Sequence, residues 1–302
     1  MGKGKTRFGL LDGIVLAGIG LAVCYGAYKW ETGIPYRWDW GVIPPYLFRY
    51  DPERGRWAAN LLMEGFFTTI RLSLWVMVFA TILGIVMALF RVSGSLFRRM
   101  IATSYVELVR NTPPLVLVFL FYFFIGDRIL TAVGADDLVR SFSEGTREIV
   151  SFLLAPPARF SAFVSGIITL VLYEGAYITE IVRAGILSVD RGQWEAADAL
   201  GFSWRQKMRH VILPQAFRKI LPPLAGQLIS TIKDSAILSV ISIQELTFQG
   251  LELMAATYRT FEIWITISVL YFVLTFSCSL AVRRLELHVN RHEVLPAAGA
   301  ER

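Results

Sequence analysis

The chain has 302 residues, 55% of them hydrophobic and only 18% charged, with a formal net charge of +6. A soluble domain carries about a quarter charged residues, so this composition, with a mean hydropathy of +0.53, excludes an ordinary water-soluble fold and points to a bilayer. The basic residues sit beside apolar runs rather than in one stripe, which excludes a nucleic-acid footprint and fits membrane topology instead.

At the N-terminus Lys3, Lys5 and Arg7 precede the first apolar run, Leu10–Tyr28. Gly4-Lys5-Thr6 lacks the earlier glycine that a phosphate-binding loop requires. The run reads as a retained span with a cytoplasmic start. Residues 30–60 are polar and aromatic, with Pro35, Pro44, Pro45, Pro52, Trp30, Trp38 and Trp40. They form an expected external loop near the membrane–water boundary.

Gly65–Phe90 is the second expected span, with Arg71 near its outer end able to snorkel and Arg91, Arg98 and Arg99 on the cytoplasmic side. Tyr105–Gly126 is the third. Residues 127–160 mix charges, glycines and Pro156-Pro157 and read as an external loop with short helical pieces. Ser161–Ser188 is the fourth span and carries Glu174, Glu180 and Arg183. Glu180 and Arg183, three apart, share a helix face and can pair.

Gly192–Pro214 is polar, basic and helix-prone between two apolar runs. Helix formers fill Gln193–Leu200, and Gly201 supplies the left-handed conformation that ends a helix. Ser203 with Gln206 makes a capping-box pattern for a second helix, on which Trp204, Met208 and Val211/Ile212 share a face. Pro214 is expected to stop it. A polar elbow of this kind has no place in hydrocarbon and belongs at a membrane face or against another protein. The fifth span is expected over Lys219–Ile243 and the sixth over Phe261–Val282, followed by Arg283-Arg284 and a polar tail. Six spans put both termini and the elbow on one side.

Lys233-Asp234 falls inside the fifth span. A charge at mid-bilayer costs about 3 kcal/mol on insertion scales, so such residues face protein or a water-filled path. Neighbours on a helix point about 100° apart, so the two cannot face one spot. Glu174, Lys233, Asp234 and Ser235 are therefore the candidate translocation-path residues. Glu174 could meet a substrate amino group or Lys233, and the sequence leaves both open. The two cysteines, Cys24 and Cys278, lie in apolar runs and offer no metal spacing.

Glu195-Ala196-Ala197, three residues, Gly201, nine residues, then Val211, one residue and Leu213-Pro214 resembles the cytoplasmic signature loop of ABC importer membrane subunits, with valine where isoleucine is usual. Tyr-Val-Glu-Leu-Val-Arg-Asn-Thr-Pro-Pro-Leu at 105–115, with Asn111 in place of a usual glycine, and residues 175–186 are similar to segments of polar amino-acid permeases. The likeness covers most of Glu64–Glu286. It implies an all-α integral membrane fold of about six spans with type I ABC importer permease architecture and a cytoplasmic coupling helix. The implied division is an N-terminal helix and external loop (1–60), a permease core (61–286) with its coupling loop at 190–214, and a tail (287–302).

The resemblance further implies that Glu195, Ala196, Ala197, Gly201, Leu213 and Pro214 couple the chain to an ATP-binding subunit. It implies two such subunits, an identical or paralogous permease, an external solute-binding protein and a bacterial inner-membrane location. The chain itself is then no enzyme and holds no cofactor, ATP-Mg being bound by the partner. An ion-coupled carrier or channel for small polar solutes is the competing reading. No H-E-x-x-H or G-x-S-x-G arrangement supports an intramembrane enzyme.

Overall fold

The computed structural model describes residues 9–33, 36–52 and 55–289. The chain divides into two compact units between Gly41 and Val42. The first contains α1 (Leu10–Gly33), whose apolar stretch, Leu11–Gly26, is shorter than a full span. The division falls well before residue 60, because Ile43, Tyr46 and Leu47 of α2 (Ile43–Leu47) pack with Leu62, Leu246, Leu253, Ile263 and Ile267 of the second unit.

The second unit continues with an antiparallel hairpin, β1 (Phe48–Asp51) and β2 (Arg56–Ala59). It leads through Asn60 into α3 (Leu61–Arg91), a 31-residue span. Among the described residues five helices are long and apolar enough to cross a membrane, and all five lie in this unit. They are α3, the stretch Pro114–Val133, the stretch Pro157–Leu187, the stretch Trp204–Ile241 and α14 (Thr260–Val289, apolar to Arg284). Successive spans run in opposite directions, so Arg91, Leu187, the 190–203 elbow and the end of α14 share one side. The hairpin, the 134–156 segment and residues 242–259 share the other, here called the outer side.

The third span begins later than the sequence suggests. Tyr105–Arg110 belongs to α4 (Leu96–Arg110), a separate amphipathic helix. Pro113 and Pro114 supply no backbone N–H, and proline disfavours helical geometry in the residue before it. The chain therefore breaks over Asn111–Pro113 and restarts as α5 (Pro114–Phe121), a π-turn at Tyr122–Gly126, and α6 (Asp127–Val133). Asn111 closes α4 with φ −100°, not in the left-handed region, and its amide bonds the Glu107 carbonyl at 2.9 Å and carboxylate at 2.8 Å. A glycine is not required at that turn.

On the outer side α7 (Ala135–Arg140) and α8 (Glu144–Leu153) are the short helices expected in the 127–160 loop. Arg71 does not snorkel. Its guanidinium donates to the Ser151 carbonyl at 2.9 Å, and Trp75 donates to the Leu153 carbonyl at 2.9 Å. Two α3 side chains thus satisfy carbonyls at the end of α8 that lack helical partners.

The fourth span is α9 (Phe160–Leu187), the most buried of the five. It packs along α3 through small residues: Ala80, Gly84 and Ala88 recur every four positions on one face. Lipid tails give helices no hydrophobic reason to associate, so close backbone approach across small residues carries the contact. After the elbow come α12 (Leu213–Asp234), a 3₁₀ stretch Ser235–Ile241, and α13 (Leu246–Thr257). The sequence reading gave no helix at 246–257.

Candidate functional site

The elbow is built as a helix–turn–helix. Asp190 caps α10 (Arg191–Ala199), its carboxylate accepting from the Gly192 N–H at 2.8 Å. At the far end Gly201 has φ +71°. The Phe202 N–H reaches the Ala197 carbonyl at 3.1 Å and the Gly201 N–H the Asp198 carbonyl at 2.9 Å. That bond pair is a Schellman closure, and a side chain at 201 would be strained in it. Ser203 and Gln206 form the capping box at the start of α11 (Trp204–Lys207).

Pro214 does not end the second helix. The chain turns through a π-turn at Met208–Ile212, where the Leu213 N–H bonds the Met208 carbonyl five residues back, and continues as α12. The wider turn shifts the hydrogen-bond register just where Pro214 has no N–H to give, so the helix passes through the proline instead of stopping. Pro222 and Pro223 also lie inside α12.

The elbow's inner face packs on the bundle. Ala197, Met208, Ile212 and Ala216 are buried, and Trp194, Val211 and Leu213 pack on the core that holds Ile186, Val189 and Ile220. The Gln215 amide bonds Gln193 at 3.1 Å and Lys219 bonds the Ser188 carbonyl at 2.5 Å, tying α12 to α10 and to the end of α9. Lys207 pairs with Asp198 and lies 5.9 Å from the Trp194 ring centroid.

Of the residues the resemblance assigns to coupling, Glu195, Ala196 and Pro214 are exposed, while Ala197 and Leu213 face the chain's own bundle. The two alanines therefore have opposite roles: Ala196 leaves the outward surface flat, and Ala197 lets α10 sit close to its base. Glu195 pairs with Arg191 at 2.9 Å. Leu200, 72% exposed, is the large apolar side chain on the outward surface of α10 and was not singled out from sequence. Its place directly before Gly201 was the available signal.

Within the spans, Glu174 is fully buried on α9. The Gln227 amide of α12 donates to its carboxyl at 2.6 Å, and Asp234 at the end of α12 lies close enough to interact with it. The other oxygen, Oε1, has no hydrogen-bond partner. Glu174 thus meets Gln227 and Asp234, whereas Lys233 points to an exposed surface of the chain. The 100° argument for Lys233 and Asp234 holds. Ser235 is buried and its hydroxyl donates to the Ile232 carbonyl at 2.8 Å, which is a local helix bond. Gln227 was missed in the sequence, since a lone glutamine 53 residues from its partner carries no pattern.

Near the elbow-side ends of α3 and α9, Arg183 donates to Glu180 at 2.8 and 3.0 Å, as its spacing suggests. Arg91 of α3 completes the cluster by pairing with the other Glu180 oxygen. Arg110 of α4 lies 5.9 Å from the Tyr177 ring centroid. The Tyr105 hydroxyl donates to the Leu172 carbonyl at 2.7 Å, and burial raises its pKa.

A separate cavity of about 990 Å³ opens on the outer side between α3 and the 152–163 segment, lined by Glu64, Arg71, Trp75, Phe152, Phe163 and Gln244 among others. None of Glu174, Lys233, Asp234 or Ser235 lines it.

Residues 80–291 match the family of binding-protein-dependent transport system inner membrane components. A probable glutamine ABC transporter permease protein of Bacillus subtilis is 32% identical over 232 residues, covering 77% of this chain and 94% of its own. The glutamine transport system permease protein of Escherichia coli K12 is 32% identical over 250 residues, covering 83% and 97%. Among solved structures, an amino acid ABC transporter crystallised with histidines superposes with a TM-score of 0.60 at 34% identity, over 76% of this chain and 94% of its own. An inward-facing methionine ABC transporter superposes with a TM-score of 0.57 at 20% identity, a likeness of fold.

Proposed function

We propose, from the premise that this chain belongs to the family of binding-protein-dependent transport system inner membrane components, that it forms the translocation path of a polar amino-acid importer and takes its driving force through the 190–214 elbow. It is a membrane-embedded permease subunit with type I ABC importer architecture, and it works with ATP-binding subunits and a substrate-binding protein. In our reading ATP-Mg is bound and hydrolysed by two partner subunits, a second identical or paralogous permease completes the membrane pair, and the assembly sits in a bacterial inner membrane. We place both termini and the elbow in the cytoplasm.

The observation that carries this reading is the elbow's two-sided build. One side is locked to the bundle through Ala197, Met208 and Ile212, and the other presents Glu195, Ala196 and Leu200 to whatever lies outside the chain. Closure of the ATP-binding pair would push on that outward side. The push would reach Gln227 and Asp234 because α11 runs without a stop into α12. The substrate class follows from the relatives, which transport glutamine and cystine. We assign Glu174, Gln227 and Asp234 to the path wall, where a carboxyl oxygen without a partner suits a substrate ammonium group. In this assignment Lys233 faces the second permease subunit and Ser235 keeps the helix end in shape.

The test reconstitutes the full complex with Glu195→Ala, Leu200→Glu and Gly201→Val and measures assembly, ATPase rate and uptake side by side. Assembly with lost uptake in at least the Leu200 and Gly201 variants is expected. Normal uptake in all three would overturn the coupling role. Uptake driven by an ion gradient without ATP would favour the carrier reading instead.

A further inference from the structure

The β1–β2 hairpin lies before residue 80 and outside the stretch that matches the family. Its register pairs Phe48 with Ala59, Arg49 with Ala58, Tyr50 with Trp57 and Asp51 with Arg56. Alternate residues of a strand point to opposite faces, and paired residues share a face. One face therefore carries Phe48, Tyr50 and Trp57, and the other Arg49, Asp51 and Arg56. The aromatic rings are 47%, 51% and 70% exposed. Tyr50 and Trp57 meet edge-to-face with centroids 5.7 Å apart, so the rings form one joined surface.

The hairpin is fixed at its root. The Asn60 N–H bonds the Leu47 carbonyl at 3.0 Å and its amide bonds the Pro45 carbonyl at 2.8 Å. Ile43 and Leu62 on either side of it are buried in one cluster with α13 and α14. The next residue after Asn60 starts the span α3. A four-residue strand reaches at most about 13 Å from that point, and the headgroup zone on each side of the hydrocarbon is about 5–7 Å deep. The aromatic face is thus held within a strand's length of the level where α3 enters lipid. A two-stranded ribbon has no core of its own in which to bury three rings. Tyrosine and tryptophan bring an apolar ring and a polar edge, which suit that level of a bilayer.

We infer that the hairpin lies on the outer surface of the membrane as an anchor, with Phe48, Tyr50 and Trp57 among the phospholipid headgroups and Arg49 and Arg56 turned to water and phosphate. The anchor fixes the outer end of α3 at its depth, and with it the α2 clamp on α13 and α14. This inference rests on membrane embedding alone and stands or falls independently of the transported substrate.

The experiment places a nitroxide on the full chain in its assembled complex, with Cys24→Ala and Cys278→Ala, in vesicles of phosphatidylethanolamine and phosphatidylglycerol. One sample carries the label at Trp57→Cys and the other at Arg56→Cys. The ratio of oxygen to nickel-chelate collisions is expected to be several-fold higher at 57 than at 56. A parallel measurement keeps the ring: quenching by brominated phospholipids, wild type minus Trp57→Phe, should show that the Trp57 emission is quenched. Equal nickel access at both labels together with an unquenched difference spectrum would overturn the anchor. Nickel access at 57 that disappears only when the solute-binding protein is added would also overturn it, and would give the face to that protein.

Discussion

Gly84 is one of the positions where the bundle leaves no room for a side chain, and Gly84→Ala tests that directly. A Cβ at this position would stand 2.5 Å from Ile178 Cγ2, 2.8 Å from its Cβ and 3.1 Å from its backbone carbon. Ordinary carbon contacts are about 3.5–4.0 Å, so α3 and α9 must separate along their longest shared face. Adding one methyl to a packed interior without relief costs about 1–3 kcal/mol. With a factor of ten for every 1.4 kcal/mol, the unfolding equilibrium should rise about 5- to 140-fold. The measurement is reversible unfolding in mixed detergent micelles, followed by circular dichroism. Ile178→Ala removes the nearest atom but keeps the next two, since Cβ and the backbone remain. Alone it should cost about 2–5 kcal/mol as a large-to-small change. Combined with Gly84→Ala it should cost less than the two separate losses added together, because residues in contact are not additive. A single Gly84→Ala within about 0.5 kcal/mol of wild type, or strict additivity in the cycle, would refute the close approach of α3 and α9.

Three further outcomes follow from the polar contacts. Glu245 is fully buried at the start of α13, accepting from the Thr247 and Phe248 N–H groups at 2.9 and 2.8 Å and from the Tyr271 hydroxyl at 2.7 Å. Burial outweighs those donors and pushes its pKa up to about 7 from an ordinary 4.5. The folded state then binds the proton more tightly than the unfolded one, so its contribution is complete below about pH 4.5 and is lost as pH rises towards 7. Glu245→Gln should flatten that slope in a stability-versus-pH series, and an unchanged slope would count against it. Arg71→Leu leaves the Ser151 carbonyl without its donor and should speed amide exchange through 150–155 while the centre of α3 stays protected. Glu180→Gln leaves Arg91 and Arg183 facing each other without a carboxylate; it should loosen the elbow-side ends of α3 and α9, and Glu180→Asp should restore part of the loss in a thermal unfolding scan.

The long apolar runs, the alternation of sides and the elbow's caps were all legible in the sequence, because each rests on local chemistry. Gly201, Ser203 and Gln206 do in the structure what their positions foretell. The pairing of Glu180 with Arg183 was equally readable at a spacing of three. Arg91, 89 residues away from Glu180, was not, and neither was Gln227 beside Glu174. Those contacts are created by helices docking, and nothing local distinguishes their residues from other polar side chains in a span. The hairpin was hidden for another reason: four-residue strands are too short for alternation to stand out among tryptophans and prolines.

Pro214 shows how a sound local rule yields to its neighbours. A proline inside a helix removes one bond and crowds the carbonyl four residues back. Here the bond one residue earlier has already slipped to a five-residue reach, from Leu213 to Met208. The slip leaves the proline nothing to break, and the helix goes through. The consequence is mechanical. Had Pro214 ended the helix, the elbow and the residues proposed to line the path would be joined by a loop able to absorb movement at α10. With the helix continuous, Met208 and Ile212, buried at the elbow, and Gln227 and Asp234, at Glu174, lie on one unbroken helical stretch. At 1.5 Å per residue the rise from Pro214 to Asp234 is about 30 Å, the thickness of the hydrocarbon core. In the proposed mechanism a tilt imposed at the elbow would be felt at the far end of the same helix, beside the buried carboxyl whose Oε1 has no partner.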